Sequence, residues 1–188
     1  NLLKKCKHQG IVYSSVMSKI IEDTIKKYKG KPYKEKVGHA PVKNRMRKTD
    51  SRFASEHSGH FFFKENFYSD SGIITSLIVL RIFSDYKKKG QTFSSILKEF
   101  KKYDKMEEKS LKIKDMNKVM KKVESIYKKK NPIKIQKLDG LIMFFKDYWF
   151  SIRPSGTEPV LRVNLESSNK ATTKKKADYL FKVIKRIK

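Results

Sequence analysis

The chain has 188 residues, 46 of them Lys or Arg against 19 Asp or Glu, for a formal charge of +27. A hydrophobic fraction of 38% and an aromatic fraction of 12% exclude disorder by composition, and the length allows one domain or two small ones. The longest nearly apolar run, Gly72 to Leu80, falls far short of the roughly 20 residues that span a bilayer, and the single cysteine, Cys6, excludes an internal disulfide framework and a cysteine-ligated zinc site.

Gly10 to Tyr13 reads as a short apolar strand. Met17 to Lys29 has helical spacing through Ile20, Ile21, Thr24 and Ile25, and Lys31-Pro32 ends that unit. Val37 to His39 is a second short strand or loop. An amphipathic helix follows from about Pro41 to Lys48, with proline at its start, where a missing N–H costs least. Phe61-Phe62-Phe63 is a third apolar strand. Asp70 or Ser71 caps a helix over Ile73 to Tyr86, and a further helix covers about Thr92 to Lys102. Strands separated by helices predict an α/β layer domain with a mixed sheet over residues 1–102.

The apolar pattern lapses between Tyr103 and Lys109, which marks a boundary. After one helix, roughly Met116 to Lys129, come four β-like runs: Ile133 to Leu138, Leu141 to Lys146, Tyr148 to Ile152 and Val160 to Leu165. Asp139-Gly140 is a hairpin signal, and Lys146-Asp147 makes the next turn. The closing helix, about Ala171 to Ile187, sets Ala177, Leu180, Ile184 and Ile187 on one face and lysines on the other. Residues 103–188 therefore read as an α+β domain with a four-stranded antiparallel sheet and two helices.

The charge invites a nucleic-acid reading, but its distribution argues for a lysine-rich surface. The cations are 39 Lys and 7 Arg, whereas bidentate recognition of phosphates and guanines favours Arg. Short lysine runs such as Lys87-Lys88-Lys89 and Lys174-Lys175-Lys176 are spread over the whole chain. No specific nucleic-acid partner and no membrane partner is expected; weak adhesion to polyanions should vanish with salt. The chain opens on Asn1 in helix-like sequence without a charged-then-apolar signal segment, so a cytoplasmic piece of a longer protein is expected.

Three segments carry chemistry. Arg153-Pro154-Ser155-Gly156-Thr157-Glu158-Pro159 lies between two strands and combines a guanidinium fork, two hydroxyls and a glycine that lets backbone N–H groups converge. Such a loop can form an anion site, or be an ordinary turn with an exposed Arg. Glu56-His57-Ser58-Gly59-His60 offers a carboxylate that can accept from vicinal sugar hydroxyls and an imidazole able to exchange protons near neutral pH; a polar surface loop is the plainer alternative. Glu56, His57 and His60 lack a helical frame that would converge them on a metal, so no metal site is expected in this chain. Val37-Gly38-His39-Ala40-Pro41 adds one more histidine beside a flexible residue.

Taken in order and spacing, Lys36-Val37-Gly38-His39, Glu56-His57-Ser58-Gly59-His60, Asp70-Ser71-Gly72 and the Arg153–Pro159 loop with Arg162 after it resemble the α-D-phosphohexomutases. The Glu-X-Ser-Gly-His and Val-Gly-His forms favour the phosphomannomutase/phosphoglucomutase branch. The resemblance implies a partial domain three (1–102, sugar-binding loop) followed by domain four (103–188, phosphate-binding loop). It implies that Arg153, Ser155, Gly156 and Thr157 hold the substrate phosphate not undergoing transfer, that Glu56 and Ser58 read sugar hydroxyls, and that His39 and His60 contact phosphate or move protons, with Lys36 beside them. The parent activity would be interconversion of mannose or glucose 1- and 6-phosphates, an isomerase reaction running through a phosphoserine enzyme and a hexose 1,6-bisphosphate intermediate. A non-catalytic polyanion- or phosphosugar-binding protein is the alternative.

The family's phosphoserine and Asp-rich magnesium loops have no counterpart here: no Asp-Gly-Asp-X-Asp-Arg or Thr-Ala-Ser-His-Asn-Pro-like segment occurs. The resemblance therefore puts the Mg2+ ligands in absent N-terminal domains, which become the implied partner, and predicts an inactive chain in isolation. Ser14-Ser15 and Ser94-Ser95 lack the context of a phosphoryl carrier. Ser55 stands where the family usually has glycine, and Tyr13 near a position where relatives often carry a basic phosphate contact.

Overall fold

The computed structural model describes Leu3 and residues 7–187; Cys6 lies outside the described residues. The chain divides into two compact units, Asn1–Lys102 and Tyr103–Lys188.

The first unit is built on βαβ connections. Strands β1 (Gly10–Ser14), β2 (Lys31–Glu35) and β3 (Phe53–Ser55) are mutually parallel through β1; β4 (Phe61–Phe63) and β5 (Ser69–Asp70) extend the sheet antiparallel, in the order β2-β1-β3-β4-β5. Helix α1 (Lys19–Lys27) links β1 to β2, and α2 (His39–Thr49) links β2 to β3. The period-2 alternation of β1 divides the helices between the two faces of the sheet. Ile11 and Tyr13 pack on Ile25 of α1, whereas Val12 packs with Val42 and Met46 of α2, Ala54 and Phe62. The chain thus moves from β1 to a neighbour on one side and then crosses to the other, so the carboxyl end of β1 is the topological switch point where α/β sheets bind ligands.

Several elements differ from the sequence expectation. Lys31-Pro32 does not end the unit but opens β2, an edge strand where a proline without N–H is tolerated; Val37-Gly38 is the loop after it. Strand β3 is only three residues long, too short to show alternation. Ser71 caps helix α3 (Gly72–Lys87) by accepting from the Ile74 N–H at 3.2 Å, which leaves Asp70 free for other work. The expected Thr92–Lys102 helix is α4 (Phe93–Leu97) followed by a single 3-10 turn, Lys98–Phe100.

Helix α3 is apolar around most of its circumference yet has no buried residue; Ile73 is 77% exposed, Leu77 63% and Leu80 61%. A cavity of about 770 Å³ between α3, α1 and the sheet is lined by Ile11, Ile25, Phe53, Phe63, Ile78 and Ile82.

Tyr13 is buried in β1 and donates to Glu22 Oε2 of α1 at 2.8 Å. It is therefore a core tie and not an exposed stand-in for a basic phosphate contact. Burial and Glu22 push its phenol up. Partial burial opposes ionisation of Glu22, but hydrogen bonds from Lys26 and Tyr13 outweigh it and hold the carboxyl below its ordinary value. A carboxyl depressed in the folded state binds fewer protons there than in the unfolded chain, so its stabilisation is present above the ordinary carboxylate pKa and is lost as pH falls through the folded value. Urea midpoints at pH 7 and pH 3 should therefore converge in Glu22→Gln relative to the parent chain. Parallel losses in the two proteins would exclude Glu22 as a contributor.

The second unit is an antiparallel sheet covered on one face by α5 (Met116–Lys128) and α6 (Lys170–Ile187). The expected four runs form β8 (Lys134–Gln136), β9 (Leu141–Phe144), β10 (Tyr148–Pro154) and β11 (Val160–Ser167), in the order β11-β10-β9-β8. Two short strands add to them: β6 (Asp104–Lys105) and β7 (Lys109–Lys112) both pair with β11, making the sheet six-stranded. Their shortness and lysine content concealed them, because edge pairing rests on backbone bonds and needs no apolar run. Tyr148, Phe150 and Ile152 of β10 and Leu161, Val163 and Leu165 of β11 point into the core with Val123, Tyr127, Leu180 and Ile184. The intervening residues carry the unit's chemistry on the opposite face.

Candidate functional site

In the first unit, the two histidine-bearing loops follow β2 and β3 and flank the carboxyl end of β1. Gly38 has φ 129 and ψ 146, a backbone open to glycine and hardly to other residues, and it is the N-cap of α2. Its N–H donates to Glu56 Oε1 at 2.7 Å. Glu56 is only 3% exposed, so one carboxylate oxygen serves as a pin between the loops. The Glu56–His60 turn closes on itself, with Glu56 N–H donating to His60 O at 2.9 Å and Gly59 N–H to Glu56 O at 3.1 Å. Ser58 and Lys36 are exposed. Ser55 sits in regular β3 register opposite Tyr13 and Phe61, so its side chain leaves the strand undistorted. Ser14 and Ser15 are fully buried.

His39, the first residue of α2, and His60, just before β4, meet edge to face with ring centroids 4.4 Å apart. Asp70 joins them from β5: its Oδ2 is 3.1 Å from His60 Nδ1, and its Oδ1 is 3.7 Å from His39 Nδ1. The hydrogen bond with His60 and the nearby His39 hold the Asp70 carboxyl below its ordinary value, with slight burial opposing. In the sequence Asp70 stood out as a possible helix cap and as part of the Asp70-Ser71-Gly72 segment, not as a partner of the histidines. It arrives through the β4–β5 pairing, which spacing along the chain does not reveal.

In the second unit, β10 runs on through Pro154, so Arg153 is a strand residue at the base of the loop and not part of its tip. Arg153 and Arg162 are directly opposite each other in the β10–β11 ladder. Like charges so placed repel, and carboxylates offset them. Glu108 accepts from Arg162 Nη1 at 3.1 Å and from Asn164 Nδ2 at 2.6 Å. Arg153 is 6% exposed, yet Glu108 and Asp139 stand 3.8 and 3.9 Å from its nitrogens, beyond hydrogen-bond length, and its Nε has no hydrogen-bond partner. Glu108 and Asp139 were not foreseen; they lie 45 and 14 residues before Arg153 and approach only through the sheet.

The loop beyond is closed at its base by Ser155 N–H donating to Val160 O at 2.9 Å. Ser155 Oγ and Thr157 Oγ1 are 3.4 Å apart, and Gly156 and Thr157 are exposed. Gly156 does not adopt a left-handed backbone, and a Cβ there would meet nothing within 4 Å, so the turn itself does not demand glycine.

The fold is shared with solved phosphohexomutase structures. A phosphoglucomutase/phosphomannomutase family protein from Burkholderia thailandensis superposes with a TM-score of 0.82 at 24% identity, over 99% of this chain and 39% of that one. The family model for phosphoglucomutase/phosphomannomutase alpha/beta/alpha domain III matches residues 1–103, and the model for the C-terminal domain matches residues 103–183. This chain belongs to the phosphoglucomutase/phosphomannomutase family. It is 36% identical over 186 residues to a phosphomannomutase of Methanocaldococcus jannaschii, covering 99% of this chain and 40% of that protein. It is 32% identical over 174 residues to a phosphoglucosamine mutase of Methanococcus maripaludis, covering 90% and 37% respectively. The chain thus spans about two fifths of the length of these relatives.

The magnesium that the family implies does not fit the donors present. Among the described residues, the only cluster of three His, Cys, Asp or Glu side chains able to converge on an ion is His39, His60 and Asp70. Two imidazoles and one carboxylate are a poor match for a hard ion that takes oxygen ligands in octahedral array. No chemical step is assigned to magnesium in this chain.

Proposed function

We propose that this chain supplies the sugar-reading and distal-phosphate-binding half of a phosphohexomutase that interconverts hexose 1- and 6-phosphates. In this reading the first unit is part of domain three and the second unit is domain four. The observation that carries the proposal is Arg153: a nearly buried guanidinium, ion-paired at a distance, with an unpartnered Nε and five donors in all, at the base of a Ser-Gly-Thr loop. A fold maintains so incompletely satisfied a charge at a cost, and a phosphate dianion would complete it with charge-assisted hydrogen bonds. Arg162 raises the local positive potential, while Ser155 and Thr157 offer hydroxyl donors at the loop surface.

In the first unit, His39 and His60 would contact phosphate or hold a proton during turnover, with Asp70 orienting His60. Glu56 would accept from sugar hydroxyls through the oxygen that Gly38 does not use. Its other oxygen gives it a second role, holding the Lys36–His39 loop in place. Ser58 and Lys36 are exposed neighbours of the same loops. The phosphoryl carrier would come from the remaining domains of a full-length enzyme, and the chain by itself would bind without turning over.

Titration of the 188-residue chain with mannose 1-phosphate and glucose 1-phosphate at low and raised salt tests this. Saturable binding that persists at raised salt, with no mutase turnover in a coupled assay, is the expected result. Adhesion to polyanions that disappears with salt, with no response to sugar phosphates, would favour the non-catalytic polyanion-binding reading instead.

A further inference from the structure

His39, His60 and Asp70 are more than a proton-handling group. Their ligand atoms all lie within 4.8 Å of one another. Bonds of about 2.0–2.2 Å to a tetrahedral ion place neighbouring ligand atoms roughly 3.4 Å apart. The observed His60 Nδ1–Asp70 Oδ2 and His39 Nδ1–Asp70 Oδ1 separations, 3.1 and 3.7 Å, straddle that value. Each of the three residues is held locally: His39 by the Gly38 N–H bond to the Glu56 side chain at the start of α2, His60 by the closed turn that begins at the same Glu56, and Asp70 by its pairing with Phe62.

We propose that His39, His60 and Asp70 form a binding site for a borderline divalent ion of the zinc type, open at its fourth position. Two imidazoles with one carboxylate select zinc, cobalt or nickel over magnesium or calcium. The carboxylate supplies charge, and the exposed side of the cluster admits water or an anionic oxygen, the pattern of zinc sites with three protein ligands. The ion would occupy both imidazole nitrogens that face Asp70, so it would compete with any proton or phosphate contact made through them, and zinc would inhibit a full-length enzyme. The site itself does not depend on the mutase reading.

The test uses the metal alone, in a Cys6→Ser chain so that the thiol takes no part. Zinc, followed by competition with a chromogenic chelator, should bind at one site per chain, and Co2+ should give a visible d–d spectrum. His39→Ala and His60→Ala should each weaken zinc at least tenfold, and the double variant should lose the cobalt spectrum. In the Cys6→Ser chain with all histidines present, zinc should shift the imidazole resonances of His39 and His60 and leave His8 and His57 unmoved, a readout that does not depend on a histidine variant folding. Unchanged zinc affinity in the double variant, or zinc-dependent shifts at His8 or His57 alone, would overturn the proposal.

Discussion

Arg153→Met is expected to weaken hexose-phosphate binding by roughly 10- to 150-fold while leaving the melting temperature equal to or above that of the parent chain. The affinity loss corresponds to about 1.5–3 kcal/mol for a charge-assisted contact. The stability effect follows from how Arg153 is held. It is almost fully buried, opposite a second guanidinium, and its two carboxylates stand beyond hydrogen-bond reach. Replacing a poorly paired buried charge by an apolar side chain of similar length is often neutral or stabilising. Glu108 keeps Arg162 and Asn164 as partners, so the substitution does not strand it. Isothermal titration and thermal melting of the same two proteins separate the outcomes. If affinity is unchanged, the loop is not the phosphate site; if affinity and melting temperature fall together, Arg153 is chiefly structural.

Gly140→Ala should produce the largest loss of stability among single changes near this site. Gly140 has φ +76, and a Cβ built there would lie 2.3 Å from Ile152 O and 2.7 Å from Arg153 Cα. A non-glycine residue in that region costs about 1–3 kcal/mol, and forcing atoms into a packed contact adds about 1–3 kcal/mol more. For a unit of this size the sum amounts to a melting-temperature drop on the order of 10 °C or more. The clash falls on the backbone of β10 at Arg153, so sugar-phosphate affinity should decline in whatever fraction stays folded. A melting temperature within 2–3 °C of the parent, against that ~10 °C, would show that the 137–140 turn can rearrange freely.

The two glycines expected to matter for turns had different fates, and the contrast explains what could be read in advance. Asp139-Gly140 marked the β8–β9 turn because a glycine at positive φ is a matter of local backbone sterics, although the connection is the four residues 137–140 and not the two-residue hairpin expected. The function expected of Gly156 was conformational, and its ordinary backbone leaves that expectation without support. Periodicity located α3, α5, α6 and the core strands β9 to β11, where apolar contrast is strong. It missed β2, which begins Lys-Pro, and β6 and β7, which are too short and too rich in lysine to show an apolar alternation. The loops bearing His39, His60 and Arg153 stood out as motifs, but which acidic residues pair with them did not. Asp70 and Glu108 reach them through strand pairing, a long-range consequence of the fold that no spacing rule encodes. Glu56 was expected as a sugar contact, and its bond to the Gly38 N–H emerged only once the parallel strands set the two loops side by side.

The bare flank of α3 gives the molecule an uncommon colloidal balance. Repulsion among +27 charges keeps copies apart, but its reach shrinks from about 10 Å at 0.1 M salt to about 3 Å at 1 M. Attraction between apolar surfaces is not screened, and salts such as sulfate strengthen it. Ionic strength therefore acts on this chain in two opposed senses: it strips the lysine shell of adhering polyanions, and it removes the barrier that holds one Ile73–Leu77–Leu80 surface away from the next. The salt that cleans the isolated chain is also the salt that brings it closest to self-association.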